Sequence, residues 1–257
     1  MDLRFNGRRT LIVGGSQGIG FATAKLMAQE GAELALASRS ADKLAAAATE
    51  IGGARTIACD MTAEGSGERL KTGLDDWDSL DVLVTAQGGS IRSAFAELTD
   101  EDWLANYEFN VLSTVRAIRA LLPALERGRD PAIVMLGAAS SRMPYPHQVA
   151  SNVHKAGLLA LTKTLASEFA EKGIRVNCVA PGRTLTPLWT NRADKMAADE
   201  GRSREDVLTE FSREVPLQRF GQPEEVAAMV VWLACPRASY VTGQTVNVDG
   251  GIARGLL

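Results

Sequence analysis

Residues 10–20 read TLIVGGSQGIG, and this stretch decides the fold of the chain. Residues 10–13 are typical of a buried strand, and a helix is predicted to begin near Ile19. Between them, Gly14, Gly18 and Gly20 permit a tight turn, close approach of a ligand and close packing of helix on strand. The amides at a helix N-terminus attract phosphate groups. The stretch therefore predicts a unit that binds a dinucleotide pyrophosphate, and a plain turn is the alternative.

Apolar strands alternate with amphipathic helices along the rest of the chain. Near-continuous runs of Val, Ile, Leu and Ala are typical of strands that are buried on both faces of a parallel sheet. The predicted strands are residues 10–13, 33–37, 55–58, 82–85, 132–136, 175–179 and 245–248. Because strands and helices alternate, we predict one α/β domain over residues 1–257, a doubly wound, mainly parallel seven-stranded sheet with helices on both faces.

Two segments show helical periodicity, with apolar residues at steps of three and four. They are marked by Trp103, Tyr107, Val111, Thr114, Ile118, Leu122 and Leu125, and by Leu158, Leu161, Leu165 and Phe169. Residues 188–214, after Pro187, form a charged, helix-prone insertion. Long connections of this kind are often lids, and a solvated surface excursion is the alternative.

The composition limits the class of partner. The chain has 257 residues, 46% of them hydrophobic and 23% charged, with a net charge of −3, so no basic surplus favours nucleic acid or an anionic membrane. Cys59, Cys178 and Cys235 are far apart and are predicted to be buried free thiols, with no metal site. The N-terminus lacks an apolar signal segment, so we expect a cytoplasmic protein.

The residues after the second predicted strand indicate which dinucleotide binds. An NAD enzyme would have an acidic side chain there for the ribose 2′-hydroxyl, whereas this chain reads Ala37-Ser38-Arg39-Ser40. A hydroxyl and a planar guanidinium suit the oxygens of a 2′-phosphate. We therefore predict NADP(H), and the alternative is that Arg39 is an ordinary surface charge.

Further motifs extend this pattern to a known family. The spacing Gly-x-x-x-Gly-x-Gly, Cys59-Asp60-Met61, the run PGRTLTP at residues 181–187 and the region 240–251 resemble the short-chain dehydrogenase/reductase family over nearly the whole chain. The resemblance implies a Rossmann-type fold in which Asp60 meets the adenine amine and Thr186 contacts the nicotinamide end. The cofactor residues that it implies are Gly14, Ser16, Gln17, Gly18, Ile19, Ser38, Arg39, Asp60, Met61, Gly88, Lys155, Pro181, Gly182, Thr184 and Thr186.

The chain departs from the family where a proton is delivered. The family tyrosine, four residues before the lysine, is Ser151, and the family serine that bonds the same carbonyl oxygen is Ala138. Residues 85–88 read TAQG instead of Asn-Asn-Ala-Gly, which predicts that both amide side chains bracing the sheet are lost. General acid catalysis contributes about 10² to 10⁴ in rate, so an uncompensated loss would be costly.

Several side chains are candidates for the catalytic roles that this departure leaves open. The resemblance assigns Lys155 to the nicotinamide ribose and Asn110 to a water that connects the lysine with solvent. Ser151 and Lys155 are four residues apart, so on a helix they face the same side. Ser151 could therefore relay a proton, or it could be a helix N-cap residue. Ser140, Tyr145 and His147 are the other candidate donors, whereas His154 is expected to face a neighbouring element or subunit.

These observations together predict a function with two alternatives. The leading hypothesis is an NADP(H)-dependent oxidoreductase that acts on a small carbonyl, imine or conjugated C=C substrate without the usual tyrosine acid. The alternatives are a non-redox enzyme on the same fold and a catalytically silent NADP-binding subunit or sensor. The substrate pocket is expected at residues 89–92, 139–145 and 188–196, and the family resemblance implies a homotetramer.

Overall fold

The computed structural model describes residues 2–255, and its centre is a parallel sheet of seven strands. The strands are β1 (Arg9–Val13), β2 (Glu33–Ser38), β3 (Arg55–Ala58), β4 (Val82–Thr85), β5 (Ala132–Leu136), β6 (Arg175–Pro181) and β7 (Thr245–Val248). Their order in the sheet is β3-β2-β1-β4-β5-β6-β7, and every neighbouring pair is parallel. All seven predicted strands are confirmed, with ends that differ by at most two residues.

Helices cover both faces of this sheet. They are α1 (Gly18–Gln29), α2 (Ala41–Glu50), α3 (Ser66–Thr72), α4 (Asp100–Tyr107), α5 (Ser113–Leu125), α6 (Val149–Glu168), α7 (Pro187–Glu200), α8 (Arg204–Ser212) and α9 (Pro223–Ala234). The sheet and its two helical layers form a single Rossmann-type domain, as the sequence predicts.

Alternation along the strands explains why both faces are buried. In β1, Leu11 and Val13 pack with residues of α3, α5 and α6, whereas Ile12 packs with residues of α1, α2 and α9. Successive side chains of a strand point to opposite faces, so a continuous apolar run supplies both cores at once. The three cysteines are buried free thiols, as predicted.

The helix predicted across residues 103–125 is interrupted. Between α4 and α5 lies a π-helical turn, Glu108–Leu112, whose buried Asn110 donates from Nδ2 to the Asn106 carbonyl oxygen at 2.9 Å. This side chain satisfies a carbonyl that a regular α-helix would pair with a backbone amide. An apolar stripe cannot reveal such a turn, because the stripe continues through it.

The insertion after β6 forms helices α7 and α8. Ser203 caps α8 by accepting from the Asp206 amide at 3.1 Å, and Gly201 ends α7 at φ 64°. Trp189 of α7 packs edge-on against Phe211 of α8 and against Phe220, with ring centroids 5.3 and 5.0 Å apart. The insertion is therefore packed on the rest of the molecule through an aromatic cluster.

Candidate functional site

The carboxyl ends of the parallel strands meet at one edge of the sheet, where two adjoining cavities open. The glycine-loop cavity, about 290 Å³, is lined by the loops after β1, β2 and β3 and by Phe109. The lysine cavity, about 380 Å³, is lined by the loops after β4, β5 and β6 and by α6, α7 and α8. The residues common to both are Ile19, Ala86, Gln87, Gly88, Leu136, Thr186 and Leu188. This arrangement suits a long ligand whose two ends meet different loops.

The glycine loop requires its glycines for steric reasons. A Cβ at Gly20 would lie 2.2 Å from the Gly14 carbonyl oxygen, and a Cβ at Gly14, where φ is +82°, would lie 2.7 Å from the Gln87 amide nitrogen. Helix α1 begins at Gly18, and its N-cap residue Gln17 makes no side-chain hydrogen bond to the first turn. The amides of that turn therefore face the glycine-loop cavity without a side-chain cap.

Two cations lie at the far end of the glycine-loop cavity. Arg39 and Lys43 both line it and both are exposed, and Lys43 Nζ donates to Gln17 Oε1 at 2.9 Å. The buried Ser38 Oγ has no hydrogen-bond partner among the described residues, so it is available to a ligand. Sequence reasoning missed Lys43, although its place in the first turn of α2, four residues after Arg39, was a usable signal.

Asp60 and Met61 lie in the same cavity, after β3. Asp60 Oδ1 accepts from the Thr62 amide at 2.9 Å and from Thr62 Oγ1 at 2.7 Å, and these hydrogen bonds lower the pKa of the carboxyl. Asp60 is therefore ionised at neutral pH, with Oδ2 available as an acceptor.

Lys155 is the central charge of the lysine cavity. The residue is 7% exposed, and its ammonium donates to the Leu136 carbonyl oxygen at 3.0 Å. A Cβ at Gly88 would lie 2.7 Å from Lys155 Nζ and 2.8 Å from Asn110 Oδ1, so both side chains lie directly against the backbone of this glycine. Burial lowers the pKa of Lys155 to about 8, with a smaller opposing effect from Cys178. The predicted group of Gly88, Asn110 and Lys155 is therefore assembled in space.

Asn110 also holds the loop after β4. Its Oδ1 accepts from the Gly89 amide at 3.1 Å while its Nδ2 donates within the π-helical turn. Thr85 and Ala86 stand where the family has its two amide side chains, so the sequence predicts the loss of both braces of the sheet. A neighbouring residue makes a different link. Gln87 Nε2 donates to Ser113 Oγ at 3.2 Å and to Thr114 Oγ1 at 3.3 Å, so one amide still ties the β4 loop to α5.

Ser151 lies inside α6, three residues after the N-cap residue Gln148, so the alternative that Ser151 caps the helix is wrong. It is 2% exposed and lines the lysine cavity together with Ala138. Ser151 Oγ accepts from the Ile91 amide at 3.1 Å and from Asn106 Nδ2 at 3.3 Å. A hydroxyl oxygen has two acceptor lone pairs and one proton, so these bonds leave its O–H free to donate.

The other candidate donors also line the lysine cavity. Ser140 is buried, Tyr145 is half-buried and His147 is exposed, with a backbone φ of +60°. Burial raises the pKa of the Tyr145 phenol, so it stays protonated at neutral pH.

His154 does not line either cavity: its Nδ1 lies 2.8 Å from Asn106 Oδ1, and its ring packs against Trp103 and Tyr107. The expectation that His154 faces a neighbouring element is confirmed.

The loop after β6 closes the junction of the cavities. Pro181, Gly182 and Thr184 line the lysine cavity, and Thr186 lines both. A Cβ at Gly18 would lie 3.5 Å from Thr186 Cγ2, which shows how closely the two loops approach. Sequence reasoning did not single out Arg183, Phe211 or Glu214 as lining residues. Long-range packing brings Phe211 and Glu214 to the cavity, whereas the place of Arg183 between Gly182 and Thr184 was a usable signal.

The remaining predicted cofactor residues, Ser16, Gln17 and Ile19, also line the glycine-loop cavity.

Among residues 2–255, no group of three or more His, Cys, Asp and Glu side chains is arranged to hold a metal ion. In the same part of the chain, no helix has the length and apolar character needed to cross a membrane.

The fold and the paired cavities define a dinucleotide-binding protein of the doubly wound class. A family model described as enoyl-(acyl carrier protein) reductase matches residues 13–253. The chain is 34% identical to a glucose 1-dehydrogenase of Gluconobacter oxydans over 97% of this chain and 93% of the relative. It is 32% identical to a 3-oxoacyl-(acyl-carrier-protein) reductase of Thermotoga maritima over 97% and 99% of the two chains.

A solved structure agrees with these relatives. L-sorbose reductase from Gluconobacter frateurii, complexed with NADPH and L-sorbose, superimposes with a TM-score of 0.95 at 33% identity, and all of both chains is covered. The chain belongs to the short-chain dehydrogenase/reductase family, whose members are nicotinamide-dependent oxidoreductases.

Proposed function

We propose that this protein is an NADP(H)-dependent oxidoreductase that transfers hydride to or from a small activated carbonyl, imine or conjugated C=C substrate. The observation that carries the proposal is the buried Lys155 ammonium beside Gly88 and Asn110, where the two cavities adjoin. Burying a charge with so few partners costs free energy, and a functional contact to a ligand explains why it is retained.

The residues of the glycine-loop cavity fit NADP(H). The uncapped amides of α1 and the glycine loop suit the pyrophosphate. Ser38, Arg39 and Lys43 offer a free hydroxyl and two cations to a 2′-phosphate, with no carboxylate at the end of β2 to repel it. The solved L-sorbose reductase complex contains NADPH, which supports the same cofactor here.

Each remaining residue has a role in binding or orienting. Asp60 accepts from the adenine amine, Lys155 binds the nicotinamide ribose, and Asn110 holds the Gly89 amide beside the lysine. Pro181, Gly182, Thr184 and Thr186 line the nicotinamide end. The nicotinamide itself supplies or accepts the hydride when it is bound.

The proton source distinguishes this protein from a standard ketone reductase. The Ala138 side chain has no polar atom to bond a carbonyl oxygen, and Ser151 is a far weaker acid than a phenol. The free O–H of Ser151 can hold or relay a proton to the reacting atom, and Ser140, Tyr145 and His147 line the same cavity. These proton donors suit a substrate that needs little acid catalysis, such as an activated carbonyl, an imine or a conjugated C=C bond.

The test is NADPH oxidation with a panel of such acceptors. Wild-type protein is expected to oxidise NADPH stoichiometrically with one class of acceptor, and Lys155→Ala is expected to lower kcat/KM by at least about 10². Lys163→Ala is the control, because Lys163 lies two turns later on α6 and bonds the Gly243 carbonyl oxygen, outside both cavities. Equal activity of the wild type and Lys155→Ala would contradict the proposal.

One observation favours a second candidate, a silent NADP-binding subunit or sensor. Ala138 and Ser151 together remove both of the family groups that bond the substrate oxygen. Tight NADPH binding without turnover of any acceptor supports that candidate or a non-redox enzyme. Co-purification with a relative that contains an intact Tyr-x-x-x-Lys motif selects the silent subunit.

Assembly and dynamics complete the proposal. Leu104, Tyr107 and Val153 are exposed apolar residues of α4 and α6, and they support a homotetramer formed through these helices.

Helices α7 and α8 over the lysine cavity support a lid function for residues 188–214. A cytoplasmic location stays a prediction from the sequence.

A further inference from the structure

The lysine cavity is strongly cationic at the end formed by the insertion. Arg92, Arg183 and Arg192 line it, and Glu214 is the carboxylate among its lining residues. Glu214 is engaged, because it pairs with Arg183, which also donates to the Phe211 carbonyl oxygen. Arg92 and Arg192 therefore add two further positive charges to a cavity that already contains Lys155.

Arg192 is held in position toward the cavity. Its Nη2 donates to Ser90 Oγ at 2.7 Å, and its guanidinium carbon lies 4.7 Å from the centre of the Trp189 ring. Within residues 2–255, no carboxylate lies within salt-bridge distance of Arg92 or Arg192. A guanidinium has five N–H donors, so most of the donors of Arg192 are available to a ligand.

The protein groups around Arg192 disfavour its positive charge. Burial lowers its pKa, and repulsion from Arg92 and Arg183 lowers it further. A half-buried cation without a carboxylate has lost part of its hydration, and one hydrogen bond and one aromatic ring replace that hydration only in part. An anion between Arg92 and Arg192 would remove that penalty, and a planar guanidinium binds carboxylate or phosphate oxygens in pairs.

We propose that the substrate carries an anionic group, a carboxylate or a phosphate, and that Arg192 with Arg92 binds it at the insertion end of the lysine cavity. The aromatic rings of Trp189 and Phe211 line the same wall and favour a substrate with an apolar or aromatic part beside the anion. This inference rests on the proposed function, since it names the class of substrate that the reductase would accept.

Calorimetric titration of the NADP⁺-saturated protein with three probes tests the binding step alone. The probes are benzoate, phenyl phosphate and benzamide, which share a phenyl ring and differ in charge. We expect at least one anion to bind at least about tenfold more tightly than benzamide at constant ionic strength, and we expect Arg192→Gln to abolish this preference. The anion that binds more tightly identifies the group as carboxylate or phosphate.

Two further variants separate the effect of the Arg192 charge from the effect of the hydrogen bond that positions it. Lys195→Gln removes a cation from the same helix outside the cavity and is expected to keep the preference. Ser90→Ala removes the hydrogen bond to Arg192 and leaves its charge, so it is expected to keep most of the preference. Equal affinity for all three probes, no detectable binding of either anion at millimolar concentration, or equal loss in Ser90→Ala and Arg192→Gln would overturn the inference.

Turnover assays distinguish this inference from the proposed function. Phenylglyoxylate and its methyl ester have the same activated carbonyl and differ in the anionic group. A preference for benzoate in the calorimeter with no NADPH oxidation by either compound or by any acceptor of the panel contradicts the redox function and leaves the anion site supported. Where benzoate is the preferred anion in the calorimeter, NADPH oxidation with equal kcat/KM for the acid and the ester supports the redox function and overturns the anion site.

Discussion

At the residue scale, Lys155 shows how a functional group can oppose stability. Its ammonium is almost fully buried and bonds the Leu136 carbonyl oxygen, and burial lowers its pKa from 10.5 to about 8. A shift of that size corresponds to about 3 kcal/mol in favour of the neutral amine. The fold therefore bears the cost of a charge that cofactor binding uses.

Lys155→Met is therefore expected to raise the free energy of unfolding near pH 7. Between pH 8 and 10.5 the unfolded state binds more protons at this residue than the folded state, so wild-type stability rises with pH across that window. The gain in Lys155→Met should be largest below pH 8 and should vanish near pH 10.5. Urea unfolding of both proteins across this range measures it, and a difference that is independent of pH would refute the argument.

Arg39 and Lys43 are the residues expected to select NADPH over NADH. Both line the glycine-loop cavity beside the unpartnered Ser38 hydroxyl. Arg39→Ala and Lys43→Ala are each expected to weaken NADPH binding by about tenfold or more, because hydrogen bonds to charged groups contribute about 1.5–3 kcal/mol. NADH binding should change little.

Fluorescence titration with both nucleotides measures this effect. Arg119→Ala is the control, because Arg119 is an exposed cation of α5 outside both cavities. An equal loss of NADPH and NADH affinity in Arg39→Ala would show that Arg39 does not bind the 2′-phosphate.

At the scale of elements, Ser151 joins three parts of the molecule. From α6, its oxygen accepts from Ile91 in the loop after β4 and from Asn106 on α4. In the same region, Asn110 links the π-helical turn to Gly89. The loop that lines the lysine cavity is thus positioned by side chains of the two helices behind it.

Ser151→Ala is expected to lower the free energy of unfolding by about 1–3 kcal/mol, since it leaves two donors without their acceptor. Ser151→Thr keeps the hydroxyl and should retain most of this stability and activity. Chemical denaturation together with hydrogen exchange of the Ile91 amide measures the effect. Unchanged protection of that amide in Ser151→Ala would contradict the assigned hydrogen bond.

At the scale of the whole molecule, exposed apolar side chains mark a surface of α4 and α6. Leu104 is 66% exposed and Val153 is 52% exposed, on the face of the helical layer away from the sheet. A monomer would leave this apolar area in water, whereas assembly would bury it.

Light scattering is therefore expected to give the mass of a homotetramer. Leu104→Asp places a charge in the predicted interface and should yield smaller species, because an unpaired buried charge is costly. Ala46→Asp adds the same charge to an exposed position on α2 and should leave the mass unchanged. A monomeric mass for the wild type would remove the homotetramer from the proposal.

The architecture could be predicted because its signals are local. Most strands are apolar runs of four to seven residues, and the glycine loop lies between the first strand and the first helix, so neighbouring residues suffice to identify them. The carboxyl ends of parallel strands share one edge, which also brings Gly88, Asp60 and Thr186 together at the glycine-loop cavity.

Tertiary structure alone decided how the side chains pair. Ser151 with Ile91, Gln87 with Ser113, and Arg192 with Ser90 are separated by 60, 26 and 102 residues, and no local pattern encodes such partners. A strand or a helix follows from interactions between residues close in the chain, whereas a hydrogen bond or a free cation in a cavity depends on the packing of distant elements. For this protein, the sequence by itself determined the sheet and the dinucleotide loop, and packing decided the electrostatics of the cavity beside them.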